Sequence, residues 1–150
     1  MDAQPPHGDF EGLEHVLPLR VYYEDTDFTG VVYHASYLRF FERGRTEFLR
    51  AIGVEHAALL DLPQPVAFAV TKLQVAYRRA ARVDDALEVR TINRRITSAR
   101  TGAHQRILRA GELICEAQLE IVCIGLDGRP CRPPPELTMR LAAYMSGPAP

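Results

Sequence analysis

The 150-residue sequence has no run of about 18 apolar residues, the length that a membrane-spanning helix needs, so no membrane span is expected. Its N-terminus, MDAQPPHGDFEGLEH, lacks a basic start followed by an apolar stretch and does not read as a secretory signal. Lysine is nearly absent, Lys72 being the only one. Cysteine is limited to Cys115, Cys123 and Cys131, an odd number with no CxxC and no histidine at zinc-ligand spacing. The thiols are therefore expected to be scattered and reduced, no metal site is expected, and a cytoplasmic location fits. A formal net charge of −1 argues against nucleic acid as a partner.

Apolar residues make up 47% of the chain and charged residues 25%, ordinary values for a globular protein. The length implies one domain, able to bury roughly 70% of its unfolded surface. Charge is uneven. Residues 1–30 hold seven acids and one arginine, whereas residues 78–109 hold nine arginines against three acids. Guanidinium groups match phosphate oxygens, so a phosphate-bearing ligand is one reading of that cluster. The other is a set of solvated strand faces laced by ion pairs.

Residues 1–15, with Pro5, Pro6, Gly8 and Gly12, read as a loose arm. The domain is expected over 16–144, with a tail at 145–150. Residues 16–24 read as a first strand rich in β-formers. From Ser36 to Ile52 the period becomes helical, with Tyr37, Phe41, Phe48 and Ile52 on one stripe and Gly53 as a stop. Glu42–Arg45, Arg43–Glu47 and Glu47–Arg50 are spaced for helix-surface pairing. Gly44, in mid-helix, suggests close approach to a sheet. A short helix is expected at 55–61, strands at 66–77, 86–96, 100–110 and 112–124, and a last helix at 136–144. The fold class that satisfies this order is α+β, an antiparallel sheet with one long helix on its inner face. Exposed sheet edges favour pairing between copies.

The chemistry-bearing stretch runs from Tyr22 through Glu24-Asp25-Thr26-Asp27-Phe28-Thr29-Gly30-Val31-Val32-Tyr33-His34 into the helix. An acidic loop entering a helix N-terminus places a carboxylate beside unpaired N–H groups. That pair is a minimal acyl-transfer site, a base plus an oxyanion hole. The same pattern also describes an ordinary cap and solvated turn.

The stretch from Tyr22 to about Gly53 resembles hotdog-fold acyl-CoA thioesterases, in the Tol–Pal-associated subgroup of the 4-hydroxybenzoyl-CoA thioesterase family. The resemblance rests on Tyr23, Asp25-Thr26-Asp27, Gly30-Val31-Val32-Tyr33-His34, Tyr37, Phe40-Phe41-Glu42-Arg43 and Arg45-Thr46-Glu47. It implies a hotdog fold, a curved antiparallel sheet wrapped around one long helix. It implies hydrolysis of a short- or medium-chain, or aromatic, acyl-CoA to the free acid and coenzyme A, with no metal or redox cofactor. Asp27 matches the catalytic carboxylate, acting as general base or as nucleophile. The backbone N–H of His34 would polarise the thioester carbonyl, and Tyr23 would position it unless it belongs to the core. Gly30, Val32 and Tyr33 would contact substrate, while Glu42 is a reserve base and Asp25 a loop cap. Arg78, Arg79 and Arg100 are candidates for the coenzyme A phosphates.

The family also implies a dimer with shared sites, often paired into a tetramer, and a link to envelope or fatty-acid synthesis proteins. Three positions depart from its pattern. Phe28-Thr29 stands where two small residues are usual, which bears on the acyl pocket, and Gly44 replaces a more usual alanine. The rival readings are a non-catalytic acyl-CoA-binding module and a hotdog dehydratase acting on enoyl thioesters.

Overall fold

The computed structural model describes residues 3–97 and 99–148. In chain order these form β1 (Asp9–Glu11), β2 (Glu14–Arg20), α1 (Ser36–Ala51), α2 (His56–Leu60) and β3 (Val66–Tyr77). There follow β4 (Ala86–Arg95), β5 (Arg100–Arg109), β6 (Glu112–Gly125), α3 (Pro135–Ala142) and β7 (Met145–Pro148). One seven-stranded sheet runs β1-β2-β4-β5-β6-β3, and β7 lies parallel to β4 at Asn93 and Arg95. All other pairings are antiparallel. The sheet wraps α1, which is the hotdog architecture.

The helix is held by its buried face. Tyr37, Phe40 and Phe41 are buried with Leu17, Val89, Ile107 and Ala117 from the sheet, and Phe48 and Leu49, further along the same face, with Val66 and Cys123 of the sheet and Leu137 and Leu141 of α3. Gly44 sets the distance. A Cβ there would stand 2.7 Å from Val89 Cγ1 and 3.1 Å from both Gln105 Nε2 and Thr91 Oγ1. The buried Gln105 amide uses that proximity, donating to the Phe41 carbonyl at 2.8 Å and to Thr91 Oγ1 at 2.9 Å. A sheet side chain thereby bonds to helix backbone, a contact that excludes any larger residue at 44.

The expected elements from 36 onward are present with ends shifted by a residue or two. Four features differ. The first strand, expected over 16–24, is β2 at Glu14–Arg20, and Tyr23–Asp25 is a 3₁₀ turn. The arm expected over 1–15 includes a strand, β1, in a hairpin with β2, so ordered structure begins before residue 16. His15 explains this: its ring is fully buried against Phe10 and Phe48, and Nε2 bonds the His7 carbonyl at 3.0 Å. Burial lowers the His15 pKa from its ordinary value. In the tail expected over 145–150, residues 145–148 form β7, and residues 149–150 lie outside those described. In β6, within the strand expected at 112–124, the alternation of buried and exposed side chains is interrupted at Ile114. Its carbonyl accepts both Arg78 N–H and Arg79 N–H, making a bulge whose side chain is fully buried.

Of the three helix-surface pairs, only Glu47–Arg50 forms, at 3.3 Å. Arg45 turns inward and donates to Gln105 Oε1 at 2.9 Å. The cysteines are free, with the Cys123 and Cys131 sulfurs 3.8 Å apart.

Gly44→Val should force α1 off the sheet and cost about 1–3 kcal/mol. A lower urea midpoint at unchanged slope is the expected result, and an unchanged midpoint would remove Gly44 from this role.

Candidate active site

After β2 the chain makes one 3₁₀ turn at Tyr23–Asp25 and then doubles back on itself. Asp27 N–H donates to the Val31 carbonyl at 2.8 Å, Tyr33 N–H to the Asp25 carbonyl at 2.9 Å, and Thr26 and Val32 form an antiparallel bridge. The result is a miniature hairpin with Asp27-Phe28-Thr29-Gly30 at its tip. Gly30 carries the left-handed backbone, φ +81°, and Gly30 N–H closes the turn onto the Asp27 carbonyl at 3.1 Å. Thr29 avoids the left-handed region, so its β-branch is not strained there.

Asp27 projects into solvent. One carboxylate oxygen, Oδ1, accepts both the Thr29 N–H at 2.8 Å and the Thr29 hydroxyl at 2.7 Å. The Thr29 hydroxyl is the largest influence holding the Asp27 pKa below its ordinary value, and the Thr29 and Val31 backbone adds to it. Asp27 is therefore ionised throughout the neutral range, with Oδ1 occupied and Oδ2 turned to no protein donor among the described residues. Asp25 is the cap that was expected. It is 7% exposed, and its Oδ2 accepts Tyr22 N–H at 2.8 Å.

The hairpin leads into α1 through Tyr33, His34 and Ala35. Among the described residues, no backbone acceptor faces the His34 N–H. The His34 carbonyl is clamped instead, accepting the Tyr77 hydroxyl from β3 at 2.9 Å. A second clamp comes from Tyr37, whose hydroxyl oxygen accepts Ala81 N–H at 3.0 Å, while the Ala81 carbonyl accepts Val32 N–H at 2.8 Å. Burial raises the pKa of both tyrosines, so both hydroxyls stay protonated. Tyr77 is a site residue that sequence reasoning missed. It closes a strand 43 residues from His34, and nothing in local spacing marks its hydroxyl.

The expected site residues divide. Asp27, Gly30 and His34 share one loop and the helix start, and the Tyr33 ring meets that of His34 at 4.4 Å between centroids, tilted by 56°. Tyr23 is exposed rather than core, and its carbonyl accepts the Thr26 hydroxyl at 2.7 Å. Val32 is a correction, because its side chain is buried in the core and only its backbone belongs to the loop. The three arginines are largely exposed partners in surface ion pairs. Arg78 pairs with Glu116 at 2.8 Å, Arg79 with Glu112 at 3.6 Å and Arg100 with Glu120 at 3.6 Å. Each guanidinium already faces a carboxylate on the neighbouring strand. Glu42 is exposed on α1 and has no ion pair among the described residues. No cluster of three or more His, Cys, Asp or Glu side chains that could hold a metal occurs among the described residues.

A sheet wrapped around one helix, with a carboxylate-tipped hairpin feeding the helix start, defines a hotdog protein. The chain belongs to the thioesterase-like superfamily, whose family model matches residues 21–141. It is 44% identical over 110 residues to the acyl-CoA thioesterase YbgC of Haemophilus influenzae, covering 73% of this chain and 80% of that one. It is 49% identical over 111 residues to the acyl-CoA thioester hydrolase YbgC of Escherichia coli O6:H1, covering 71% of this chain and 79% of that one. A crystal structure of a protein from Bartonella henselae, described as a probable thioesterase, superposes with a TM-score of 0.78 at 40% identity. That match covers 81% of this chain and 99% of the other.

Thr29→Val should move the Asp27 pKa up toward its ordinary value, read by NMR titration of the carboxyl carbon. Because the folded pKa lies below the unfolded one, this contribution to stability is present above the ordinary carboxylate pKa and fades as pH falls through the folded value. An unmoved Asp27 titration would show that Thr29 does not set it.

Proposed function

We propose that this chain is an acyl-CoA thioesterase that hydrolyses short- or medium-chain, including aromatic, acyl-CoA. The observation that carries the reading is the ionised Asp27 carboxylate at the tip of a hairpin that runs straight into the N-terminus of α1. The 44% and 49% identities to the two YbgC enzymes support the same chemistry.

In this mechanism Thr29 anchors Oδ1, leaving Oδ2 to act. As general base, Oδ2 takes a proton from water while the oxygen attacks the thioester carbonyl carbon. The carbonyl π electrons move to oxygen, and the oxyanion is met by the His34 N–H and the positive end of the helix. Collapse breaks the C–S bond, and the coenzyme A thiolate takes the proton. As nucleophile, Oδ2 attacks the carbon directly, the C–S bond breaks to release the coenzyme A thiolate, and water then cleaves the mixed anhydride, returning the carboxylate and giving the free acid, with the thiolate taking the proton that water loses. Label in the Asp27 carboxylate after a single turnover in H₂¹⁸O marks the second route, with water attacking the aspartyl carbon of the anhydride.

Oligomerisation belongs to the same proposal. Edge strand β3 exposes Val70 and Leu73, and Tyr22, Tyr23, Phe28 and Tyr33 lie exposed about the hairpin. Unpaired edge backbone beside exposed apolar side chains supports a dimer of two copies along β3, with sites shared between them. Placement in the Tol–Pal-associated subgroup and action in the cytoplasm belong to the same proposal.

Asp27→Asn keeps the shape and removes the proton acceptor. Thiol release from a panel of short aliphatic, long aliphatic and aromatic acyl-CoAs should fall by roughly 10²–10⁴ with binding retained. Normal turnover by the variant would sink the assignment of Asp27. Binding without turnover by the wild type would make the chain an acyl-CoA-binding module.

A further inference from the structure

Beyond β6 the chain reverses at Asp127–Gly128 and runs back antiparallel to the strand it has left. Gly125 N–H donates to the Arg129 carbonyl at 2.9 Å, Cys131 N–H donates to the Cys123 carbonyl at 3.0 Å, and Ile124 bridges Pro130 between them. Cys123 and Cys131, eight residues apart in sequence, are thereby set opposite each other. Opposed residues of an antiparallel pair hold their Cα atoms about 4.5–5.5 Å apart, inside the span of roughly 4.4–6.8 Å that a disulfide bridges. The two sulfurs already stand 3.8 Å apart. With the backbone in range, rotation about the Cα–Cβ bonds is enough to bring them to the bonded distance of about 2.05 Å.

The two thiols differ in access. Cys123 is buried in the apolar cluster that joins Phe48 and Leu49 of α1 to Leu137 and Leu141 of α3. Burial and the neighbouring sulfur push its pKa up to about 12. Cys131 is half-buried at the margin of the same cluster, on an open groove that Pro63, Pro65 and Pro130 also line. A small oxidant arriving from solvent therefore meets Cys131 first. The third thiol, Cys115, is fully buried in the other apolar cluster.

We propose that Cys131 and Cys123 are a modification site, a dithiol that hydrogen peroxide converts reversibly to an intramolecular disulfide. The Cys131 thiolate attacks one peroxide oxygen, the O–O bond breaks, and hydroxide leaves. Sulfur is oxidised to the sulfenic acid and the peroxide is reduced. The Cys123 sulfur then attacks the Cys131 sulfur. The S–S bond forms, the S–O bond breaks, and the departing hydroxide takes the Cys123 thiol proton to become water. The proton that Cys131 gave up makes water of the first hydroxide, so two thiols and one peroxide give one disulfide and two waters. An external dithiol reverses the change by exchange and is itself oxidised. The new bond fastens the proline-rich segment ahead of α3 to β6. Since Arg140 of α3 donates to the Gly53 carbonyl at 3.0 Å, just past α1, the bond also steadies the place where the two helices meet.

The test exposes the whole reduced chain to a few equivalents of hydrogen peroxide, then denatures it and alkylates the remaining thiols with iodoacetamide. The reduced chain takes three labels, one on each cysteine. The oxidised chain should take one, on Cys115, and its digest should contain a cross-linked Cys123–Cys131 peptide. Dithiothreitol should restore three. The melting midpoint of the oxidised form should lie roughly 5 °C above that of the reduced form and fall back on reduction. Cys123→Ala should stop Cys131 at the sulfenic acid, which dimedone traps, and Cys131→Ser should leave Cys123 a thiol. Three labels after peroxide, a link through Cys115 or between two chains, or an unmoved melting midpoint would overturn the proposal. So would dimedone reaching Cys123 in Cys131→Ser as fast as it reaches Cys131 in Cys123→Ala. Should Cys123→Ala not fold, dimedone added to the wild type together with peroxide decides the order, and an adduct on Cys123 rather than Cys131 overturns it.

Discussion

The molecule depends on how closely α1 approaches the sheet beneath it. With hydrogen as its side chain, Gly44 lets the helix settle until the Gln105 amide reaches the Phe41 carbonyl at 2.8 Å. That contact joins strand to helix through a polar group in an otherwise apolar layer, and it is satisfied on every side: Thr91, the Phe41 backbone and Arg45 all meet Gln105. A fully paired buried amide fixes one register of helix on sheet, where apolar contacts alone would tolerate sliding. The position of the helix start, and so of everything in the hairpin that leads into it, follows from this seating.

The hairpin is precise for a second reason. It is not packed into the core along its length, because only Val32 and Asp25 are buried. It is instead tied by hydrogen bonds whose partners lie on other elements, with Tyr77 on the His34 carbonyl and the Tyr37–Ala81–Val32 relay behind the loop. An exposed carboxylate is thereby held without being desolvated. Thr29 completes the arrangement from inside the turn, fixing one oxygen of Asp27 and keeping the group charged. Burial, the commoner way to tune a carboxylate, would have raised its pKa and left it protonated more often.

Much of this was legible in the residues. The helical stripe from Tyr37 to Ile52, the period-two strands and the Asp27–Gly30 turn are local patterns, and local patterns survive translation into structure. Gly44 was legible because a glycine in mid-helix has a cost that only proximity explains. What was not legible depends on pairing across the chain. The three-residue β1 carries no alternation, and its existence depends on His15 being buried beneath Phe10. The bulge at Ile114 is defined by two amides from the far end of β3. Val32 lies in a motif whose neighbours are exposed, yet the hairpin turns it inward.

The arginine-rich span is basic only along the chain. In the folded sheet, Arg78, Arg79, Arg90, Arg100, Arg106 and Arg109 each face at least one carboxylate. Those carboxylates come largely from other strands, with Glu11 and Glu14 from the acidic N-terminal span and Glu112, Glu116 and Glu120 from β6. Antiparallel pairing thus interleaves an acidic stretch with a basic one, turning a charge gradient in sequence into short-range dipoles in space. Such dipoles cancel within a Debye length of roughly 8–10 Å. At that distance a polyanion meets less of the positive charge of these six arginines than the sequence displays.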